Sequence, residues 1–424
     1  MSTFRTRFRE ALRQRMSRWH RTRRAGGDAN ASAAQVPPVA IAPPPPEPRP
    51  RDETVAPAAL AELEVPAESV ATSAIPDPAS YVEAPAVADV VPAVAPPVAI
   101  EIVVPRAPGR FETDADLGMR GKLYDAPHKR RGFVMYVPAG WSKDLRAPLI
   151  VLCHGCKQTP EEFAKGSRIA DLADRLGCLV LMPRQTKWAN PWRCWNWFDP
   201  TVAAGEGEAE MIAAQIRYIR QRYRADKERV VAAGISAGAA LAAVLGLHYP
   251  RHVRAVISTA GLACGAAASA ISASDVMRRG PNADFEAVAV AARAKSGGSR
   301  LVPLLAIHGD DDTVVAPANS AALVRQYLRF NGHPSVDDAR LSTPETLPAA
   351  DSVALHRTAD GRDVTTREWR MDGHLIARLI GVAGLGHAWS GGDDALAFND
   401  ARAPDATQLV GEFMADVFSP SAEQ

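Results

Sequence analysis

The chain has 424 residues, with 49 Lys and Arg against 48 Asp and Glu for a formal net charge of +1, and 47% of it is hydrophobic. The near-neutral total hides a basic head joined to an acidic stretch, so it says little about the partners of the folded part. What composition excludes is a membrane-spanning helix, because no apolar run approaches the roughly 20 residues needed, and a disulfide framework, because five cysteines are an odd number in a long chain.

Residues 1–24 hold nine arginines, with Phe4, Phe8, Leu12, Met16 and Trp19 at three- or four-residue spacing. A helix here would gather those side chains on one stripe and suit an anionic apolar surface. The alternatives are a solvated basic tail or a nucleic-acid arm, and the aromatic stripe fits the latter less well. Arginines also interrupt anything resembling the apolar core of a secretion signal, so the expected location is the cytoplasm. Residues 25–108, rich in Pro, Ala and Val as in "VPPVAIAPPPPEPRPRDE", read as an extended, disordered linker. From Gly109 to about residue 419 the composition is that of a globular domain large enough for a single core.

Within that domain "RGFVMYVP" and "APLIVLCHG" read as strands. "TPEEFAKGSRIADLADRLG" opens with a capping box, Thr159 as cap, Pro160 in the first turn and Glu162 reaching back, and is expected to continue as a helix. "CLVLMP" is the next strand, and "EGEAEMIAAQIRYIRQRY" places Met211, Ile212, Ile216 and Ile219 on one helical stripe. "RVVAAG", "VRAVIST", "VPLLAIHG", "TTREWRM" and "LIARLIGVA" complete the strand candidates. Apolar strands alternating with helices imply a mostly parallel sheet covered on both faces, with chemistry at the carboxyl ends of its strands.

The segment "VVAAGISAGAALAA" carries the sharpest local signal. Gly234-Ile235-Ser236-Ala237-Gly238 stands between a strand-like and a helix-like run, the context of a nucleophile elbow. A serine hydroxyl needs a base and a group that holds the base. Downstream, "LLAIHGDDDTVVAP" ends a strand with three aspartates, and "LIGVAGLGHAWSGG" ends another with His387 in a glycine-rich loop. Serine, aspartate, histidine is the chain order of the α/β-hydrolases. Oxyanion donors are expected from the Ala237 amide and from "HGCKQ" at 154–158. His154 and His308 lie in His-Gly turns, where a structural role competes with function. His248, His252, His333, His356 and His374 read as solvated.

Taken in order, "LCHGCKQTPEEFA", "NPWRCWNWFDP", "AAGISAGAALAAVL", "IHGDDDTVVAP" and "GLGHAWSGG" resemble the polyhydroxybutyrate depolymerase family of esterases over residues 110–418. The resemblance implies an α/β-hydrolase fold, Ser236 as nucleophile, His387 as base and a serine-esterase mechanism without cofactor. It singles out Asp312 through the pattern His-Gly-x-x-Asp-x-x-Val, and it assigns the second oxyanion amide to Cys156. It also implies a polyester of 3-hydroxybutyrate, or its oligomers, as substrate. The arginine-rich head, outside the resemblance, is expected to dock a granule surface. A feruloyl or acetyl esterase of the same family is the nearest rival, and a non-catalytic granule-coat protein the rival from another class.

Trp188, Trp192, Trp195 and Trp197 are half of the chain's eight tryptophans. Core is the ordinary reading of such a cluster, but Trp389 and Trp195 are expected at an apolar rim that grips substrate. Secreted relatives could join Cys156 to Cys194, whereas a reducing cytoplasm leaves free thiols, which is the expectation here. Cys153-His154-x-Cys156 lacks a second pair at zinc-like spacing, so no metal is expected.

Overall fold

Ten short extended segments order themselves into one twisted mixed sheet, and the helices between them cover both of its faces. The computed structural model describes residues 108–117, 131–281, 283–298, 300–337 and 346–419, all within the second of two units, Ala93–Gln424. The head at 1–24 and the linker up to residue 107 lie outside the described residues.

The strands are β1 (Arg110–Thr113), β2 (Phe133–Val137), β3 (Leu149–Cys153), β4 (Leu179–Pro183), β5 (Val230–Ile235), β6 (Ala255–Thr259), β7 (Leu304–Gly309), β8 (Ser352–Arg357), β9 (Asp363–Met371) and β10 (His374–Val382). Their spatial order is β1-β2-β4-β3-β5-β6-β7-β10-β9-β8. From β4 to β10 the neighbours run parallel, while β1, β2, β8 and β9 are antiparallel additions at the two ends. A two-stranded ribbon, β11 (Trp389–Ser390) and β12 (Asn399–Asp400), stands apart.

The helices are α1 (Pro160–Ser167), α2 (Ile169–Leu176), α3 (Pro200–Ala203), α4 (Glu208–Arg222), α5 (Ala237–His248), α6 (Ala270–Arg279), α7 (Phe285–Ser296), α8 (Ala318–Asn331) and α9 (Ala406–Phe418). Alternate residues of each central strand feed different cores. Leu149, Val151 and Cys153 of β3 pack with α4, α5, α7 and α8, whereas Ile150 and Leu152 pack with α1, α2 and α9. That is why β3 to β7 are buried along their whole length: a sheet covered on both faces leaves no polar register.

Thr159 and Glu162 form the capping box as expected, and Pro160 opens the helix. The single helix read from 159–177 is instead two. Arg168 adopts a left-handed conformation, φ 55° and ψ 31°, and breaks the run into α1 and α2. Gly166 stands two residues before that break, in the last turn of α1. The break follows from tertiary contacts, since the Arg168 guanidinium reaches the Gly391 carbonyl and Asp405 across 223 and 237 residues. The stripe of Met211, Ile212, Ile216 and Ile219 on α4 is buried as read. Edge strands β1 and β8 escaped the sequence reading, since one is four residues long and the other is exposed on both faces. His333, read as solvated, is buried, with its ring nitrogens on Ser335 Oγ and the Arg370 carbonyl.

Candidate active site

Strand β5 runs into Ser236, which has φ 58° and ψ −124°, and α5 begins at the next residue. A non-glycine residue in this region is strained by roughly 1–3 kcal/mol and persists only where its surroundings hold it. The Ser236 amide donates to the Thr259 carbonyl on β6, and its carbonyl accepts from Ala240. Both flanking glycines are sterically required. A Cβ on Gly238 would lie 2.1 Å from the Cys153 carbonyl oxygen and 2.5 Å from that of His154, and one on Gly234 would lie 2.7 Å from the Cys153 oxygen. The missing side chains let the turn press against the end of β3, which brings the loop at 154–158 beside the serine. Gly238→Ala should therefore lower the urea midpoint, with a loss of at least about 2 kcal/mol, as overpacking against backbone generally causes. An unchanged midpoint would contradict the close packing.

The three aspartates after β7 are told apart by their partners. Asp312 is buried; its Oδ1 accepts from the amides of Val314 and Val315, and its Oδ2 accepts from His387 Nδ1 at 2.7 Å. Burial alone would raise its pKa, but the hydrogen bonds from His308 and His387, the His387 charge and the Val315 amide prevail and hold the carboxyl far below its ordinary range. Asp310 is exposed and accepts from the Gly384 amide at 2.6 Å, and Asp311 is exposed. With Nδ1 committed to Asp312, the His387 tautomer leaves Nε2 as the nitrogen available for proton transfer. The His387 loop is held against β7 by another close approach, since a Cβ on Gly309 would lie 1.9 Å from the Leu385 carbonyl.

Ser236 stands two strands from β7, across β6, or roughly 10 Å at ordinary strand spacing, and the His387 loop follows β10 on the far side of β7. All three lie at the carboxyl ends of parallel strands. Ala237 opens α5, so its amide is among the first-turn donors that have no acceptor within the helix. On the neighbouring loop the Gly155 amide is taken by Gln158 Oε1 and the Lys157 amide by the Trp192 carbonyl at 2.6 Å, which fixes the backbone on both sides of the Cys156 amide.

Cys156 and Cys194 are joined, with Cα atoms 4.2 Å apart. This corrects the expectation of free thiols: the segment 185–196 is folded back along the β3 loop, a proximity that 38 residues of separation do not reveal. Cys153, Cys178 and Cys264 are free and buried. Trp389 and Trp195 are likewise corrected from substrate rim to core. Trp389 packs edge-on against Phe163 and donates to Thr407 Oγ1, while Trp195 donates to the His154 carbonyl. Among the described residues the exposed tryptophans are Trp188, fully exposed, and Trp192 at 65%, with the Lys157 ammonium 5.5 Å from the Trp192 ring.

A buried polar network beneath this loop was not read from the sequence. Glu208 accepts from Gln185 Nε2 and from both nitrogens of Asn196, and Gln185 in turn donates its amide to His154 Nε2. His154 also meets the Gly155 carbonyl through Nδ1, so its role is structural, as is that of His308, held by Ser320 and the Val315 carbonyl. Burial pushes the His154 imidazole down to about 4. An unfolded histidine takes up its proton near pH 6.5, so between pH 6.5 and about 4 only the unfolded chain is protonated at this site. Stability is full above that window and falls as pH drops through it, by about 3 kcal/mol in total from this group. His248 and His252, also lowered mainly by burial, act in the same direction. Denaturant titrations from pH 7 to pH 4.5 should show the decline, and His154→Gln should flatten it while costing stability at pH 7.

A covered parallel sheet with a strained serine turn after its fifth strand and a buried Asp-His pair beyond its seventh defines an α/β hydrolase. A family model described as Esterase PHB depolymerase matches residues 131–347, and the chain belongs to that family. Ser236, Cys156 and Asp312 lie inside the matched span, and His387 lies beyond it. Among curated proteins, poly(3-hydroxyalkanoate) depolymerase C of Paucimonas lemoignei is 32% identical over 200 residues, 46% of this chain and 48% of that protein. The chain thus spans about half the length of that relative. Acetylxylan esterase A of Aspergillus oryzae is 27% identical over 261 residues, covering 58% and 79%. Feruloyl esterase B of Thermothelomyces thermophilus is 27% identical over 215 residues, covering 47% and 70%. Among solved structures, an acetyl xylan esterase from Aspergillus awamori superposes with a TM-score of 0.53 at 22% identity over 66% of this chain and 94% of its own, a likeness of fold.

Proposed function

We propose that residues 109–419 form a serine esterase domain. The observation that carries the reading is the buried Asp312–His387 hydrogen bond at 2.7 Å at the same sheet edge as a strained, nearly buried serine. Ser236 Oγ attacks the ester carbonyl as His387 Nε2 takes its proton. Asp312 holds the imidazolium, and the amides of Cys156 and Ala237 receive the oxyanion. His387 then protonates the departing alkoxide, and water activated by the same histidine releases the acid and restores Ser236. The residues supply every proton transfer, so no cofactor enters.

The test is direct. Ser236→Ala should lower hydrolysis of p-nitrophenyl butyrate by at least ~10³ without loss of the cooperative unfolding transition. Asp312→Asn should cripple turnover, and the same change at Asp310 or Asp311 should cost far less. More than a tenth of wild-type activity in the serine variant would overturn the assignment of Ser236 as nucleophile, and a wild-type chain that hydrolyses no ester would leave the non-catalytic granule-coat reading standing.

For substrate, the likeness to a poly(3-hydroxyalkanoate) depolymerase supports 3-hydroxybutyrate polyester or its oligomers. The exposed Trp188 and Trp192, the latter beside the loop of the proposed oxyanion amide, supply an apolar surface for such a chain. The acetyl or feruloyl esterase reading is favoured by the longer coverage of the acetylxylan and feruloyl relatives. The Cys156–Cys194 bond favours an oxidising compartment, and so export over the cytoplasmic location expected from the basic amino terminus. Incubation with polyhydroxybutyrate granules, and separately with an acetylated xylan and a feruloyl ester, ranks these substrates. In a granule sedimentation assay, Trp188→Ala/Trp192→Ala should reduce pelleting while leaving soluble-ester turnover within about twofold, as exposed side chains outside the reacting centre allow. Deleting residues 1–30 should reduce pelleting further if the head docks the granule. Full pelleting of all variants would remove both surfaces from substrate binding.

A further inference from the structure

The ten-stranded sheet ends, among the described residues, at β8. All six residues of β8 are exposed, including Val353 at 63% and Leu355 at 71%. Among the described residues β8 is thus open on both faces and along one edge, and it presents backbone groups without a strand partner together with apolar side chains, the combination that invites another strand.

The hydrogen-bond parity of β8 decides which groups are on offer. Arg357 stands opposite Asp363 on β9, and Thr358, the next residue, donates its amide to the Arg362 carbonyl. In an antiparallel ladder, residues facing the partner strand alternate with residues facing away. Ser352, Ala354 and His356 therefore spend their backbone groups on β9, while Val353, Leu355 and Arg357 direct theirs outward. These odd-numbered residues also share one face of the sheet.

We infer that β8 is a self-association edge, pairing antiparallel with β8 of a second copy of this chain about a two-fold axis at Ala354. Only registers that match outward-facing residues to one another can form a ladder. The register centred on Ala354 sets Val353 opposite the partner's Leu355 and Leu355 opposite the partner's Val353, so four apolar side chains cluster on one face and both pairs exchange backbone hydrogen bonds. On the other face Ser352 meets the partner's His356, with the two small Ala354 side chains between them. Shifting the axis to Leu355 would set Val353 against the partner's Arg357 and lose the second apolar pair. The arrangement is isologous and closed, so it gives a dimer with one continuous sheet rather than a fibre.

Two measurements on the full-length chain test this. Sedimentation velocity over a concentration series should show a reversible dimer, and Val353→Lys/Leu355→Lys should raise its dissociation constant at least about tenfold, through two lost apolar pairs and like charges brought together. Both positions are exposed and outside the proposed catalytic residues, so hydrolysis of a soluble ester serves as the control for folding. Ala354→Cys, treated with oxidised glutathione, should form a cross-linked dimer, because residues on the axis in a non-hydrogen-bonded pair bring their Cα atoms to about 4.5 Å. Ser352→Cys should not, since it faces the partner's His356. The chain's native thiols at Cys153, Cys178 and Cys264 are buried. A wild-type monomer at every concentration, a dimer untouched by the double lysine variant, or cross-linking at 352 in place of 354 would each overturn the proposal.

Discussion

The interlock between the β5–α5 turn and the end of β3 is the constraint from which the rest of the site follows. Because Gly234 and Gly238 carry no Cβ, the Cys153 carbonyl occupies the space where two side chains would otherwise stand. The turn is thereby forced through a positive φ at Ser236, a conformation costly by itself and sustained by a fully buried strand before it and a helix buried on all sides after it. The same contact lays the 154–158 loop against the serine. A second glycine approach, Gly309 against Leu385, does for the His387 loop what the first does for the loop at 154–158. The groups proposed to react are thus positioned by backbone meeting backbone, which is stiffer than positioning by long side chains.

Charge in this interior is admitted only with partners. The Asp312 carboxylate is met by two amides, His387 and His308, and the Glu208 carboxylate by Gln185 and Asn196, with Arg131 3.3 Å away. His154 takes the opposite course and stays neutral, lending its ring to the Gly155 carbonyl and the Gln185 amide. An unpaired buried charge would cost several kcal/mol, so these groups behave as units: loss of one member leaves the others unsatisfied. The Glu208 unit connects α4 to the tryptophan-bearing loop, and the disulfide connects that loop to the proposed oxyanion amide. The exposed indoles therefore ride on a segment anchored at several points rather than on a free flap.

Much of this architecture was legible because local chemistry and tertiary demand agreed. The capping box at Thr159 and Glu162, the stripe on α4 and the apolar strands were read from spacing alone, and each persists in the fold. Where the two levels diverged, the reading missed. Arg168 breaks a helix that propensity would continue, because its guanidinium is held by groups distant in sequence. Trp195 and Trp389 were read as rim and are core: an indole's large apolar ring and single N–H donor suit both places, and only the acceptors at His154 and Thr407 decide.

By itself the sequence determined the alternation of strands and helices, the glycine-flanked serine, and the chain order of serine, aspartate and histidine, because each rests on contacts between residues a few positions apart or on the register of a short pattern. Tertiary structure alone decided that Cys156 and Cys194 are joined, that Trp188 and Trp192 rather than Trp195 and Trp389 face outward, and that β8 ends the sheet among the described residues. These are matters of which side of an element faces which neighbour. A strand's two faces and a helix's several are equivalent in sequence until the sheet order assigns them.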